Sequence, residues 1–286
     1  MDINTQVAKQ LDKVADLLAE QAANLFRVHA YQRGAETVRR LTRPVDEILE
    51  KEGIEGLRKL QGIGDRLAIA IRDIIRIGRL PMLDRLRGEA DPVDLLETVP
   101  GIGPVHASRL HDELGIDSLE DLEAAAHDGR LADLAGLGSK RVSGIADSLA
   151  TRLGRLRPPG LRAPLEAPVA ELLDVDREYR DLTAKDILHK IAPRRFNPSH
   201  EAWLPILHTA RGERHYTALF SNTARAHQLG KTQDWVILYY DGGAGERQST
   251  VITSQFGVLK GKRIVRGREE ECARQYGLQQ LPAYGT

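Results

Sequence analysis

The chain has 286 residues, and its 41 Lys and Arg residues are balanced by 41 Asp and Glu residues, so the formal net charge is zero. This balance excludes a globally basic protein, and any binding to nucleic acid must therefore depend on local basic patches. The single cysteine, Cys272, excludes a disulfide framework and suits a reducing compartment. Because the sequence shows neither a signal peptide nor a membrane-spanning run, we expect a cytoplasmic protein.

The N-terminal half repeats one eight-residue pattern three times. Each copy has two apolar residues followed by a Gly-apolar-Gly triplet, and further apolar residues recur six and nine positions after the first glycine. A helix, a tight turn and a second helix account for every position. The start of the second helix presents main-chain N–H groups with partial positive charge, which suits phosphate. The triplets are Gly62-Ile63-Gly64, Gly101-Ile102-Gly103 and Gly136-Leu137-Gly138.

This pattern is typical of a helix-hairpin-helix, which holds the nucleic-acid backbone without reading bases. The alternative is an all-α repeat whose turns serve only packing, but the basic residues beside the turns favour phosphate binding. We expect a side chain on the second glycine of a triplet to block phosphate or to strain the turn. The predicted DNA-binding residues are Gly62, Gly64, Arg66, Gly101, Gly103, Val105, Gly136, Gly138, Lys140 and Arg141.

Five runs, 24–33, 60–64, 78–80, 99–104 and 114–122, extend the pattern beyond the glycine triplets. On these runs, residues 1–157 resemble the N-terminal part of the family X DNA polymerases, the DNA polymerase beta family, and 114–122 is a connector typical of the bacterial members. That resemblance implies a small helical domain that binds the 5′-phosphate side of a DNA gap and often removes a deoxyribose phosphate through a lysine Schiff base. A hairpin turn is a candidate site for a monovalent cation, and no other cofactor is expected.

The chain departs from the family at the lyase lysine. That position falls on Ala70, and an arginine nearby cannot replace an amine nucleophile, since a guanidinium stays protonated. One basic position of the family's phosphate pocket is also changed, to Met82. The pattern therefore predicts a domain that holds phosphate but has lost lyase chemistry. The implied 5′-phosphate pocket consists of Arg27, Tyr31, Arg66 and Arg79.

The polymerase body of the family has no counterpart in the sequence. The only pair that resembles its metal-binding aspartates is Asp174 and Asp176, which lie in a run with helical apolar spacing. Residues two apart on a helix point in different directions, so we interpret this pair as part of a solvated acidic face. The family's C-terminal phosphoesterase domain is not matched either.

A second domain is predicted beyond a linker with four prolines. Its pattern of strands and turns indicates a small α+β domain with a mainly antiparallel sheet, in contrast to the all-α N-terminal region with its three hairpins. The predicted division is 1–90, 91–157, the linker 158–168, and 169–286. Helices are predicted over 169–182 and 269–276, a short segment over 184–191, and strands over 203–208, 215–221, 235–240, 249–253 and 263–266.

The C-terminal domain offers several weak candidate sites. The spacing of His200, Glu201, His208, His215 and His227 matches no metal-ligand motif, so no metal site is predicted. Neighbouring glutamates disfavour a thiolate at Cys272. Two basic clusters could follow phosphate or single strands, or could be ordinary solvated surface. They are Lys190, Arg194, Arg195, Phe196 and Asn197, and Lys260, Lys262, Arg263, Arg266 and Arg268.

Two classes of function stay open from the sequence. The first is a sequence-independent DNA-binding protein that acts as a repair accessory on gapped or nicked DNA. The second is an enzyme acting on DNA, either a residual lyase or a nuclease with its chemistry in residues 169–286. Because Ala70 replaces the lysine and the polymerase aspartates are absent, we favour the first class.

Overall fold

The computed structural model describes residues 2–88, 92–134, 136–153, 167–241 and 246–278. Within these residues the helices are α1 Ile3–Glu20, α2 Leu25–Arg39, α3 Val45–Arg58, α4 Asp65–Ile77, α5 Pro81–Arg87, α6 Pro92–Glu97, α7 Pro104–Leu114, α8 Leu119–His127, α9 Ser139–Arg152, α10 Val169–Ala184, α11 Ala224–Gln228 and α12 Glu269–Gln275. The strands are β1 His189–Ile191, β2 Leu204–Arg211, β3 Arg214–Phe220, β4 Val236–Asp241, β5 Glu246–Thr253 and β6 Arg263–Val265.

The chain divides into two compact units. The first unit contains Met1–Asp91, His189–Thr209 and Gly243–Gly245, and the second contains Pro92–Leu188, Ala210–Gly242 and Glu246–Thr286. These compact units are defined by contacts, and a compact unit is not necessarily a part of the chain that folds independently. The domain limits predicted from the sequence therefore stay a prediction. Most of the predicted linker, 158–166, lies outside the described residues.

The first unit is built on an amphipathic pair of helices, α1 and α2. The apolar residues of α1 recur at helical spacing, and Val7, Leu11, Val14 and Leu18 are all fully buried. Asp2 caps the helix by accepting a hydrogen bond from the main-chain N–H of Thr5 at 2.9 Å. Helix α1 also packs against α3, α4 and α5, and the first hairpin turn lies between α3 and α4.

The second unit contains the other two hairpins and most of the sheet. Helices α6 to α9 share one apolar core, to which Leu96, Leu110, Leu131 and Ile145 contribute fully buried side chains. The sheet has the strand order β1-β2-β3-β4-β5-β6, so that strands adjacent in sequence are adjacent in space. Antiparallel pairing joins β3 to β4, β4 to β5 and β5 to β6, which confirms the predicted antiparallel sheet.

The predicted C-terminal elements are found with small shifts at their ends. The segment predicted over 184–191 is divided between the last residue of α10 and strand β1. Helix α11 begins after Thr223, whose side chain accepts from the main-chain N–H of Ala226, as expected of a capping residue. The glycine-rich segment 242–245, which follows β4, lies outside the described residues. No helix in the described parts is long and apolar enough to cross a membrane.

Candidate nucleic-acid interface

The three hairpin turns share one backbone geometry. The first glycine of each triplet has a left-handed φ: +77° at Gly62, +91° at Gly101 and +95° at Gly136. A residue with a Cβ rarely adopts this conformation, so the turn itself requires glycine there. The central apolar residue is buried in every copy, and its N–H donates to the carbonyl three residues earlier at 3.0–3.1 Å. These residues are Ile63, Ile102 and Leu137.

The second glycine of each triplet is different, because the fold does not require it. Gly64 and Gly103 have φ of −84° and −99° as the capping residues of α4 and α7. A Cβ added at Gly64, Gly103 or Gly138 would meet nothing within 4 Å. The expectation that a side chain would strain the turn is therefore wrong at these positions. The remaining explanation for glycine at these positions is that an external group approaches the backbone closely there.

The residues two positions beyond these glycines form a matching exposed set. Arg66, Val105 and Lys140 each lie four residues after the first glycine, in the first turn of the following helix. Val105 is 70% exposed, which is unusual for an apolar side chain. No side chain accepts a capping hydrogen bond from the first-turn N–H groups of α4 or α7. Each turn thus combines main-chain donors with an exposed side chain.

The second and third hairpins lie side by side. A Cβ at Gly101 would lie 3.6 Å from Cγ of Arg141, and one at Gly136 would lie 2.7 Å from Nε2 of His106. Arg141 also donates from Nη1 to the carbonyl of Gly136 at 2.8 Å, so part of its guanidinium supports its own turn. His106 was missed by the sequence analysis. The repeat register could have identified it, since His106 and Arg141 both lie five residues after a first glycine.

In the first unit, a methionine sulfur joins two of the four predicted pocket residues. Nη2 of Arg27 lies 3.5 Å and the hydroxyl of Tyr31 lies 3.3 Å from Sδ of Met82, and both act as donors. Tyr31 is buried at 8% exposure, whereas Arg66 is exposed in the first turn of α4. Arg79 lies between α4 and α5. The assignment of all four residues to a 5′-phosphate pocket stays a prediction.

Strand β2 contributes a histidine to the same unit. Nε2 of His208 donates to Oε1 of Gln21 at 2.9 Å, and Nε2 of Gln21 donates to the carbonyl of Leu86 at 2.6 Å. Burial, followed by the charges of Arg27 and Arg85, holds the pKa of His208 well below 6.5. The uncharged imidazole is thus a neighbour of Arg27, a relationship that the sequence did not indicate.

The main chain of the segment before β2 is also attached to the helical part of the first unit. The N–H of Arg194 donates to the carbonyl of Gly88 at 2.7 Å. A Cβ at Gly88 would lie 2.7 Å from the carbonyl oxygen of Ala192, so the two backbones are in close contact. The predicted pocket therefore lies in a unit that includes residues from far along the chain.

Several charged residues that were considered as surface groups are structural. Asp176 is buried at 1% exposure and accepts two hydrogen bonds from the guanidinium of Arg263, at 2.6 and 3.0 Å. The interpretation of Asp176 as part of a solvated acidic face is therefore wrong. Arg268 is likewise buried, with Glu271 and the carbonyl of Ala167 as its partners. Two of the five basic residues of the second cluster thus stabilise the fold.

Cys272 and His227 are both held by hydrogen bonds within the fold. Burial raises the pKa of the Cys272 thiol, whose sulfur accepts the N–H of Val265 at 3.2 Å. Nε2 of His227 lies 2.7 Å from Oδ1 of Asn222. Across residues 2–88, 92–134, 136–153, 167–241 and 246–278, no group of three or more His, Cys, Asp or Glu side chains is placed to hold a metal ion.

Comparison with known proteins agrees with this geometry. Residues 2–80 match a family described as a helix-hairpin-helix domain, and residues 93–151 match one described as a SAM-like helix-hairpin-helix tandem. The chain is 27% identical over 145 residues to the DNA polymerase/3′-5′ exonuclease PolX of Bacillus subtilis (strain 168). That match covers 50% of this chain and 24% of the relative. The N-terminal half is thus a family X-like helix-hairpin-helix region, which supports DNA as its partner.

Proposed function

We propose that this protein binds DNA through the sugar-phosphate backbone, independently of base sequence, by means of its three hairpins. The main support is that Gly64, Gly103 and Gly138 are glycines at positions where the fold has room for a side chain. A phosphate that approaches the start of a helix would need that space, and main-chain N–H groups carry no base information.

We further propose a role as a repair accessory on gapped or nicked DNA. The first unit places the guanidinium of Arg27 beside Tyr31, and charged donors form the stronger hydrogen bonds to phosphate. Ala70 occupies the position of the lyase lysine and is 6% exposed, so this position supplies no amine to a substrate. We therefore propose that the first unit binds a 5′-phosphate and does not cleave the DNA.

A monovalent cation at a hairpin turn belongs to the same proposal. The turns offer main-chain carbonyls as hard oxygen ligands. At the third turn the carbonyl of Gly136 already accepts a hydrogen bond from Arg141, and at the first turn the carbonyl of Gln61 accepts one from Thr37, so the second turn is the better candidate. Replacement of K⁺ by Li⁺ at constant ionic strength should then weaken duplex binding, and equal affinity in the two salts would rule the cation out.

The proposed function is tested by measuring affinity for duplex, nicked, gapped and single-stranded DNA of several sequences. We expect similar affinity for different sequences of the same structure, and a steep decrease in affinity with salt concentration. Gapped DNA with a 5′-phosphate should bind more tightly than the same DNA without it. Strong preference for one sequence would contradict backbone binding, and strand cleavage or phosphate release in Mg²⁺ would favour an enzyme.

A further inference from the structure

The loop between β5 and β6 presents an aromatic side chain to solvent. Phe256 is 81% exposed and Val258 is 47% exposed, whereas Leu259, one residue later, is 2% exposed. The loop therefore has an apolar residue that anchors it in the fold and two that point away from the core. An exposed aromatic ring can serve as a platform on which a nucleic-acid base stacks.

The conformation of this loop is fixed by hydrogen bonds of its own backbone. The N–H of Ser254 donates to the carbonyl of Lys262 at 2.9 Å, and the N–H of Gly261 donates to the carbonyl of Ser254 at 2.8 Å. Oγ of Ser254 also donates to the carbonyl of Phe256 at 3.2 Å. Because the loop is held closed before any partner arrives, little conformational entropy is lost when Phe256 binds.

The charge around Phe256 favours an anionic partner. The loop 254–262 contains two lysines and no Asp or Glu. Arg263 forms ion pairs with Asp176 and Asp234. Asp234 also accepts a hydrogen bond from the hydroxyl of Thr253, at the base of the loop. Lys260 is exposed, and Nζ of Lys262 lies 4.7 Å from the ring centre of Tyr276. These two lysines give the loop a positive charge, and the loop contains no acidic residue to offset it.

We infer that the loop 254–262 is a second nucleic-acid contact, in which Phe256 stacks on an unpaired base of single-stranded DNA while Lys260 and Lys262 bind the adjacent phosphates. An exposed aromatic ring flanked by lysines is the combination that binds single strands without base preference. A paired base in a duplex offers no free face to the ring, so this contact selects unpaired stretches. The inference rests on the proposed DNA binding and adds a preference for single-stranded segments.

The test compares the wild-type chain with Phe256→Ala on an intact duplex and on the same duplex carrying a five-nucleotide gap with 2-aminopurine in the template. Wild-type protein should quench the 2-aminopurine fluorescence. Phe256→Ala should abolish the quenching and weaken gap binding about tenfold, with duplex affinity unchanged. Phe256→Tyr should retain both properties. Leu229→Ala, which removes another exposed apolar side chain of the second unit, is the matched control.

The outcomes separate this inference from the proposed function. Equal gap affinity and equal quenching for wild type and Phe256→Ala would overturn the role of the loop while leaving duplex binding by the hairpins intact. A wild-type chain that binds none of the DNA forms would overturn both. If Phe256→Ala instead lost binding to phosphatidylserine vesicles and kept its gap affinity, the loop would be assigned to a membrane surface.

Discussion

The carboxylate of Glu120 accepts a hydrogen bond from the hydroxyl of Thr250 at 2.5 Å, which joins the hairpin tandem to the sheet within the second unit. Its other oxygen accepts from Nε2 of Gln248 at 2.8 Å, and Glu120 is 4% exposed. Asp117 makes a parallel attachment, because it accepts the N–H of Ala224 at 3.0 Å. Glu120, in the first turn of α8, thus attaches the hairpin tandem to the sheet, and Asp117, in the α7–α8 connection, attaches it to α11.

Glu120→Ala should destabilise the protein by about 2–4 kcal/mol. The substitution leaves the buried donors of Gln248 and Thr250 without their acceptor, and each unsatisfied donor costs about 1–3 kcal/mol. Urea denaturation followed by circular dichroism measures this change. Glu270→Ala, on the exposed side of α12, serves as the control and should alter stability by no more than about 0.5 kcal/mol. Similar midpoints for the two variants would show that the Glu120 attachment contributes little.

Gly103→Val should weaken duplex binding about tenfold or more without unfolding the chain. The φ of −99° at Gly103 accepts a side chain, and a Cβ there meets nothing within 4 Å, so we attribute the loss to the blocked approach of phosphate. Loss of one or two charged hydrogen bonds accounts for the magnitude. Fluorescence anisotropy with labelled duplex measures it. Arg130→Ala removes an exposed guanidinium paired with Asp128 and should bind like wild type; comparable affinity for both variants would count against the hairpin interface.

Borohydride trapping on an incised abasic substrate should yield no covalent adduct on residues 1–90. An imine requires a free amine at the reacting carbon, and the position of the family's lysine is occupied by the buried Ala70. Peptide mapping after reduction identifies any adduct, and a family X enzyme with lyase activity provides the positive control. An adduct on Lys59, which is exposed near the first hairpin, would restore the lyase hypothesis.

Removal of the 5′-phosphate should weaken gap binding by about 1–2 kcal/mol if two charged hydrogen bonds are lost. Arg27→Gln should remove most of that difference, because the shorter neutral side chain cannot replace the guanidinium beside Tyr31. Competition titrations with phosphorylated and unphosphorylated gaps measure the effect. A phosphate contribution that is the same in wild type and Arg27→Gln would place the pocket elsewhere.

His208 should make the protein less stable in mild acid. The pKa of its imidazole is lowered in the folded state, so the unfolded chain binds an additional proton as the pH falls below about 6.5. The contribution of the neutral His208 to the free energy of unfolding is complete above that pH and is progressively lost below it. His208→Gln should flatten this dependence in urea midpoints measured from pH 7 to pH 4. His29→Gln, at an exposed site, is the control, and identical profiles for the two variants would exclude His208 as the cause.

The sequence by itself determined the hairpins, because each repeat is a local unit. The left-handed glycine, the buried apolar residue and the capping glycine lie within three consecutive residues, so their spacing specifies the turn. The alternation and turn signals of the C-terminal half likewise predicted five of the six described strands, since strands adjacent in sequence pair with each other.

Only the tertiary structure decided which charged residues are available to a ligand. Asp176 and Arg263 are 87 positions apart, and no local pattern indicates that they neutralise each other in the interior. The same holds for Glu120 with Thr250 and for His208 with Gln21. Local periodicity reports the element to which a residue belongs, but the partner of a buried charge is set by contacts between distant segments, and those contacts exist only in the folded chain.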